Sequence, residues 1–220
     1  YHMDKLKSLT RFRDSLVRQR SRQLVDLTNV LDKVFPEFKP FFKGKFSVTA
    51  LYILANYPTP EKIANMNARS YEVLRKRSSG KFTMIQFAQL KTLAKNTVGS
   101  SDDYLLQQME VLLDIYTQLD AKIEEVEAEI IECIIGIDPP ILSIPGIGAM
   151  SAAVILSEFG DFAKYANPSK MLSFAGLEPG YFQSGQSEHT GHMVKHGSSH
   201  LRYALLNCCL PLIKNEPTFA

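Results

Sequence analysis

The chain has 220 residues, 45% of them hydrophobic and 22% charged, with a net charge of +2, which is the composition of a globular protein with one or two cored domains. No apolar run reaches membrane-spanning length and no basic-then-apolar pattern opens the sequence, so a cytoplasmic protein without a membrane partner is expected. Cys133, Cys208 and Cys209 have neither metal-ligand nor disulfide-framework spacing and are expected to be reduced thiols.

Tyr1, His2 and Met3 read as a cloning remnant, which makes an excised fragment the expectation. From Asp4 to Val34 there is no Gly or Pro, and Leu6, Leu9, Leu16, Leu24, Leu27, Leu31 and Val34 recur at near-helical spacing, so the stretch is expected to form one long helix ended by Pro36. Its first part is basic: seven Lys or Arg against two Asp between Asp4 and Arg22, a net +5. The next segment, 35–99, reads as a compact helical insert, with Thr59-Pro60-Glu61 opening a helix and a break at Ser78-Ser79-Gly80. Eleven basic and two acidic residues between Lys39 and Lys95 leave it at +9. Arg75, Lys76, Arg77 and Lys81 around the break are candidates to grip a phosphate backbone, with solvated helix faces as the bland alternative.

Beyond the insert, Leu105, Met109, Leu112, Tyr116, Leu119, Ile123, Val126, Ile130 and Cys133 alternate steps of four and three, a heptad seam started by Ser101-Asp102-Asp103 and stopped by Gly136 with Pro139-Pro140. Six acids against one lysine between Asp120 and Glu132 give this helix a net −5, complementary to the first. Pairing is therefore expected, as an antiparallel hairpin within the chain, across a dimer, or both; a core helix of a monomeric bundle is the alternative. Ile144-Pro145-Gly146-Ile147-Gly148, followed by Ala152, Val154, Ile155 and Leu156, resembles a helix-hairpin-helix motif in which Gly146 and Gly148 expose backbone N–H groups to a phosphate; a plain packing hairpin is the competing reading. Asn167 and Pro168 then open a helix directed towards Gly176.

The densest signals lie between Phe174 and Leu205. Gly176, Pro179, Gly180, Gly185, Gly191 and Gly197 make turns the expectation for its first two thirds. Ser184, directly before Gly185, is a candidate nucleophile because the missing side chain admits another backbone close to its hydroxyl. Ser198 and Ser199 are expected to cap a helix carrying Leu201, Ala204, Leu205 and Cys208 on one face, and Lys195 and Arg202 beside its N-terminus suit a phosphate. His189, His192, His196 and His200 invite a zinc reading, but Gly191 and Gly197 break the register and no cysteine lies at ligand spacing, so no metal site is expected.

AGLEP, QSG and KHGSSHLRYAL resemble the C-terminal transposase domain of the bridge-RNA-guided insertion-sequence recombinases, the family that includes the pilin-gene invertase; YPTPEKI and the Pro145-Gly148 hairpin resemble it too. The resemblance implies that Ser184 is the nucleophile of a transposase or recombinase, with DNA, a guide RNA and further copies of the chain as partners. It also implies an N-terminal resolvase-like domain, absent here, whose acids bind magnesium; without it the fragment is expected to be inactive and to hold no cofactor. In agreement, Glu158, Asp161, Glu178, Glu188 and Glu216 are too scattered to form a two-metal site. The expected architecture is all-α: a coiled-coil dimerisation arm over 1–138 with the basic insert at about 35–100, then a helix-hairpin-helix and serine-loop domain over 139–220. The expected setting is a prokaryotic, nucleoid-associated protein. A non-catalytic architectural nucleic-acid-binding protein and a coiled-coil scaffold are the alternatives.

Overall fold

An uninterrupted helical pattern without breakers yields α1, His2–Val34, and the seam yields α7, Asp103–Ile137. The computed structural model describes residues 2–100, 102–184, 187–193 and 195–215 and, over 179–192, the backbone alone. The chain falls into two compact units, Val17–Ala121 and Tyr1–Leu16 with Lys122–Ala220, and both long helices run through both of them.

In the first unit, five short helices connect α1 to α7: α2 (Phe38–Phe41), α3 (Val48–Asn56), α4 (Pro60–Ala64), α5 (Ala68–Arg77) and α6 (Met84–Lys95). Side chains cap the starts of four. Ser47, Thr59 and Asn67 accept from the backbone N–H three residues on, and Thr83 forms a reciprocal capping box with Gln86. Each such cap is worth about 1 kcal/mol, which matters for helices this short. Their apolar faces meet α1 and α7 in one core containing Leu27, Leu31, Phe38, Ile53, Leu74, Leu90 and Met109. Glu37 closes the insert, accepting from the Thr97 hydroxyl at 2.7 Å and the Val98 N–H at 3.2 Å. Burial works to raise its pKa, but these hydrogen bonds outweigh it and hold the carboxyl below its ordinary value.

The second unit packs Leu6 of α1 against Ile130 and Ile134 of α7 and against Ala152 and Ala153 of α8, Ala149–Phe159. A second cluster joins Ile155 and Phe159 to Ala175 at the end of α9 (Pro168–Ala175) and to Leu201, Ala204 and Cys208 of α10 (Ser199–Asn215). On α10, Cys208 is buried and its neighbour Cys209 exposed. Every residue of the predicted seam is at least half-buried. Within each unit α1 and α7 of the same chain cover one another, with ion pairs Lys5–Glu129 (2.7 Å) and Arg13–Glu127 (2.8 Å) in one and Arg20–Asp120 in the other. The complementary charges thus meet inside the chain.

The fold is helical as expected, with one addition. Two antiparallel strands, β1 (Pro179–Ser184) and β2 (Ser187–Met193), occupy the stretch read as turns. The glycines suggested irregular backbone, yet they alternate with Tyr181, Phe182, His189 and Thr190, residue types that accept extended backbone. Gly136 does not stop α7, which continues to Ile137; Asp138 takes the left-handed position at φ 45° instead and donates its N–H to the Ile134 carbonyl.

Candidate nucleic-acid interface and serine hairpin

Ser184 is the last residue of β1 and pairs with Ser187, so the two serines form the final rung of the ladder. Gly185 and Gln186, which join the strands, lie outside the described residues. Below that rung the register runs Gln183 to Glu188, Phe182 to His189 and Tyr181 to Thr190, with a bulge before Pro179 meets Met193. A glycine at the first of two linking positions is a hairpin-closing signal, and Gly185, expected as one turn among several, is the residue that follows the paired strand β1.

Two glycines fix the feet of this hairpin. Gly176 ends α9 in a left-handed conformation, φ 69°, and a Cβ there would lie 1.8 Å from the carbonyl oxygen of His196. Gly197, φ 94°, would place a Cβ 2.0 Å from the carbonyl oxygen of Phe174. The two segments therefore cross backbone to backbone, each at a position that only glycine fills without displacement. Arg202 spans the same crossing, donating from Nη1 to the Ala175 carbonyl at 3.2 Å. It thus serves as a C-terminal cap for α9, with its remaining donors uncommitted to that bond. Lys195 is exposed beside the crossing.

Ser198 caps α10 by accepting from the Leu201 N–H at 3.2 Å, and its hydroxyl also hydrogen-bonds Glu158. Glu158 is 3% exposed and takes a two-pronged pair from Arg11, Nε at 2.7 Å and Nη2 at 3.1 Å, with Lys7 at 3.6 Å. Burial pushes its pKa up, but the bonds from Arg11 and Ser198 and the charges of Lys7 and Arg11 prevail and hold it below the ordinary 4.5. Asp14 and His200 approach to 3.3 Å, and Thr10 and Ser157 to 3.5 Å. Sequence reasoning counted Glu158 only among scattered acids. An acid inside the apolar run AAVILSEF, opposite a basic first helix, was the signal for a buried pair.

Gly146 and Gly148 separate in character. At Gly146, φ 95°, a Cβ would stand 2.8 Å from the backbone of Pro211, so the residue is glycine because α10 passes directly over it. Gly148 precedes α8 at φ −80° with open space around its Cβ position, and no side chain caps that helix start. What precedes the turn is a single 3-10 turn, Pro140–Ser143, in place of a full helix.

In the other unit Arg75, Lys76 and Arg77 form the last turn of α5, and Lys81 follows; all four are exposed. Arg77 lies 4.1 Å from the centre of the Tyr52 ring, and Arg75 stands 3.9 Å from Glu72. The remaining charge faces solvent. No group of three His, Cys, Asp or Glu side chains able to hold a metal occurs among the described residues, and no helix there is long and apolar enough to cross a membrane.

Residues 138–220, the stretch that holds the hairpin and the Gly146–Gly148 turn, match the transposase IS116/IS110/IS902 family. The chain is 31% identical over 81 residues to the insertion element IS110 uncharacterized 43.6 kDa protein of Streptomyces coelicolor, a match covering 37% of this chain and 20% of that protein. It is 28% identical over 107 residues to the transposase for insertion sequence element IS1328 of Yersinia enterocolitica, covering 48% of this chain and 32% of the relative. The matches therefore span between a fifth and a third of those relatives' lengths.

Proposed function

We propose that the chain is the part of an insertion-sequence transposase that grips DNA and presents Ser184 as the nucleophile of strand cleavage and exchange. The observation that carries this reading is the position of Ser184 on the last rung of a hairpin rooted by two interlocked glycines, within the stretch that matches the transposase family. In the proposed step the Ser184 oxygen attacks a phosphodiester and loses its proton, a phosphoserine ester forms and a strand oxygen leaves; attack by another strand's oxygen reverses the step and rejoins the DNA. A serine hydroxyl needs activation, and phosphoryl transfer needs cations on the attacking and leaving oxygens. Magnesium would supply that charge, held by carboxylates of a further domain or of a neighbouring protomer.

Phosphate contacts fall to Arg75, Lys76, Arg77 and Lys81 on one unit and to Lys195, Arg202 and the backbone at Gly146 and Gly148 on the other, with no base read by any of them. A guide RNA belongs to the same proposal, since A-form duplex is held through its backbone. So does a homodimer. Because α1 covers the α7 seam within the chain, the proposed contact uses the exposed Tyr104, Val111 and Ile115 of α7. The setting that suits these partners is the bacterial nucleoid.

Incubating the full-length protein with guide RNA, target DNA and magnesium tests the reading through a covalent protein–DNA adduct that survives denaturing electrophoresis. Ser184→Ala should abolish the adduct and leave DNA affinity within about twofold, whereas Ser187→Ala, on the same rung, should retain it. An adduct that persists without the Ser184 hydroxyl, or disappears only without that of Ser187, overturns the assignment. The exposed basic cluster favours a second reading, an architectural nucleic-acid binder; salt-dependent binding with no adduct in the unmodified protein would select it.

A further inference from the structure

Beside the feet of the serine hairpin lies a group of four aromatic rings that no role above uses. Phe159, 7% exposed, forms its floor. Phe162 and Phe174 lean on that floor with ring centres 5.5 and 6.0 Å away and planes tilted by 39° and 32°. Tyr165 closes the group edge-on to Phe159 at 5.5 Å and donates its hydroxyl to the Phe159 carbonyl at 3.1 Å, which fixes the ring. Despite these contacts Phe162 and Phe174 remain 42% and 39% exposed. These two rings are thus held by their neighbours while part of their π-surface stays open to solvent.

The local charge says what such a surface suits. Lys164 ends the three-residue turn that Phe162 begins, and Lys170 stands four residues before Phe174 on the same face of α9. Both lysines are exposed and neither has an ion-pair partner among the described residues. Fixed aromatic faces with ammonium groups at their rim are the pattern that takes a nucleobase on the ring and its phosphate on the cation. The group is also sited for it: the carbonyl of Phe174 is the atom against which Gly197 packs, so the rings sit where the hairpin is rooted. β1 carries the chain from Pro179 to Ser184 in six residues, a length of about 20 Å, or roughly six base steps of a DNA strand.

We propose that Phe162 and Phe174, rimmed by Lys164 and Lys170, form a stacking platform for an unpaired base of the DNA strand that the serine hairpin acts on. The choice of DNA rests on the transposase reading given above. A duplex keeps its bases stacked on one another and offers the platform only its backbone, so the site selects DNA that is already melted or opened by strand exchange.

The experiment titrates the chain with a single-stranded oligodeoxynucleotide containing 2-aminopurine, with the matching duplex, and with the RNA of the same sequence. The expected result is quenching of 2-aminopurine fluorescence in the single strand. Phe162→Leu and Phe174→Leu should each weaken single-strand binding by about fivefold or more while duplex affinity and Tm stay unchanged. Single-strand affinity equal to that of the unmodified chain in both variants overturns the proposal, as does equal weakening on single strand and duplex, or tighter binding of the RNA. Should a variant lower Tm, photocrosslinking of a bromodeoxyuridine strand to the unmodified chain replaces it. Adducts on Phe162 or Phe174 support the platform, and adducts confined to other segments overturn it. Ser184→Ala should bind the strand normally, so failure of the platform and failure of the nucleophile assignment are read in separate measurements.

Discussion

The insert helices of one unit and the 138–220 stretch of the other obey local rules to very different degrees. In the insert, four helices in succession carry a side-chain cap, the acid closing the segment has its hydrogen bonds, and Arg75, Lys76, Arg77 and Lys81 face water. In the 138–220 stretch, α8 starts without a side-chain cap, a proline sits inside α10, a carboxylate is buried, and three glycines press against other backbones. A chain tolerates such exceptions where something other than stability is being positioned. Two of these exceptions, the Gly176–Gly197 crossing and the buried Glu158 with its bond from Ser198, lie at the base of the serine hairpin. The insert can lose a surface charge cheaply and meets a one-methyl limit at Gly99, where a Cβ would stand 2.0 Å from the Val34 carbonyl oxygen; the 138–220 stretch meets that limit at Gly146, Gly176 and Gly197.

The sharpest way to break this contrast is at the glycine crossing. Gly197→Ala or Gly176→Ala must push a carbonyl back from about 2 Å in a left-handed conformation, and each should cost at least about 3 kcal/mol by denaturant unfolding of the chain. A cost below about 1 kcal/mol in both would show that the crossing is loose.

Next in size is the buried carboxylate. Arg11→Ala strands Glu158 with Lys7 and Ser198, and because Arg11 is half exposed the expected loss is about 2 kcal/mol. The sign with pH is fixed. The Glu158 carboxyl is held below 4.5, so its contribution is fully present above that value and fades as pH falls through the lowered folded-state value. Thermal unfolding followed from pH 7 to pH 3 should therefore show a steeper fall in Tm below pH 4.5 for the unmodified chain than for Arg11→Ala. Parallel curves would refute the pairing.

The smallest of these effects sharpens the comparison inside a single turn. Gly146→Ala meets the Pro211 backbone at 2.8 Å and should destabilise by about 1–2 kcal/mol, whereas Gly148→Ala has open space and should change stability by less than about 0.5 kcal/mol. If the Gly148 backbone does lie against a phosphate, the second variant should still lose duplex affinity in a salt-resolved titration. Unchanged affinity there would leave the turn a packing device.

Much of this fold can be read from residues alone, and the reasons are local. Thirty-three residues of α1 without a breaker, Thr59-Pro60, Asn167-Pro168 and the Ser198-Ser199 pair act on neighbours within four positions, and each does what its chemistry demands. What escaped depends on distance in sequence. Glu158 meets Arg11 across 147 positions, so nothing near it announces the pair. Gly146 is glycine because of Pro211, and Gly176 because of His196, partners that no spacing rule connects. The β-hairpin was hidden for another reason: its glycines outweigh a short alternation, and strand formation depends on context more than helix formation does. The aromatic group followed the same logic. Phe162 and Phe174 are twelve positions apart and read as ordinary apolar residues until both are seen on Phe159.

Neighbouring thiols on α10 also give this unit a chemical clock. Cys209 is exposed and reacts whenever a thiol reagent is present, while Cys208, 3% exposed, is shielded by the cluster that holds Ile155, Phe159 and Ala175. Modification of the second sulfur must wait for the helix to lift from its bed. Its rate therefore meters how often that part of the molecule opens, and the adjacent sulfur supplies the unprotected reference in the same peptide.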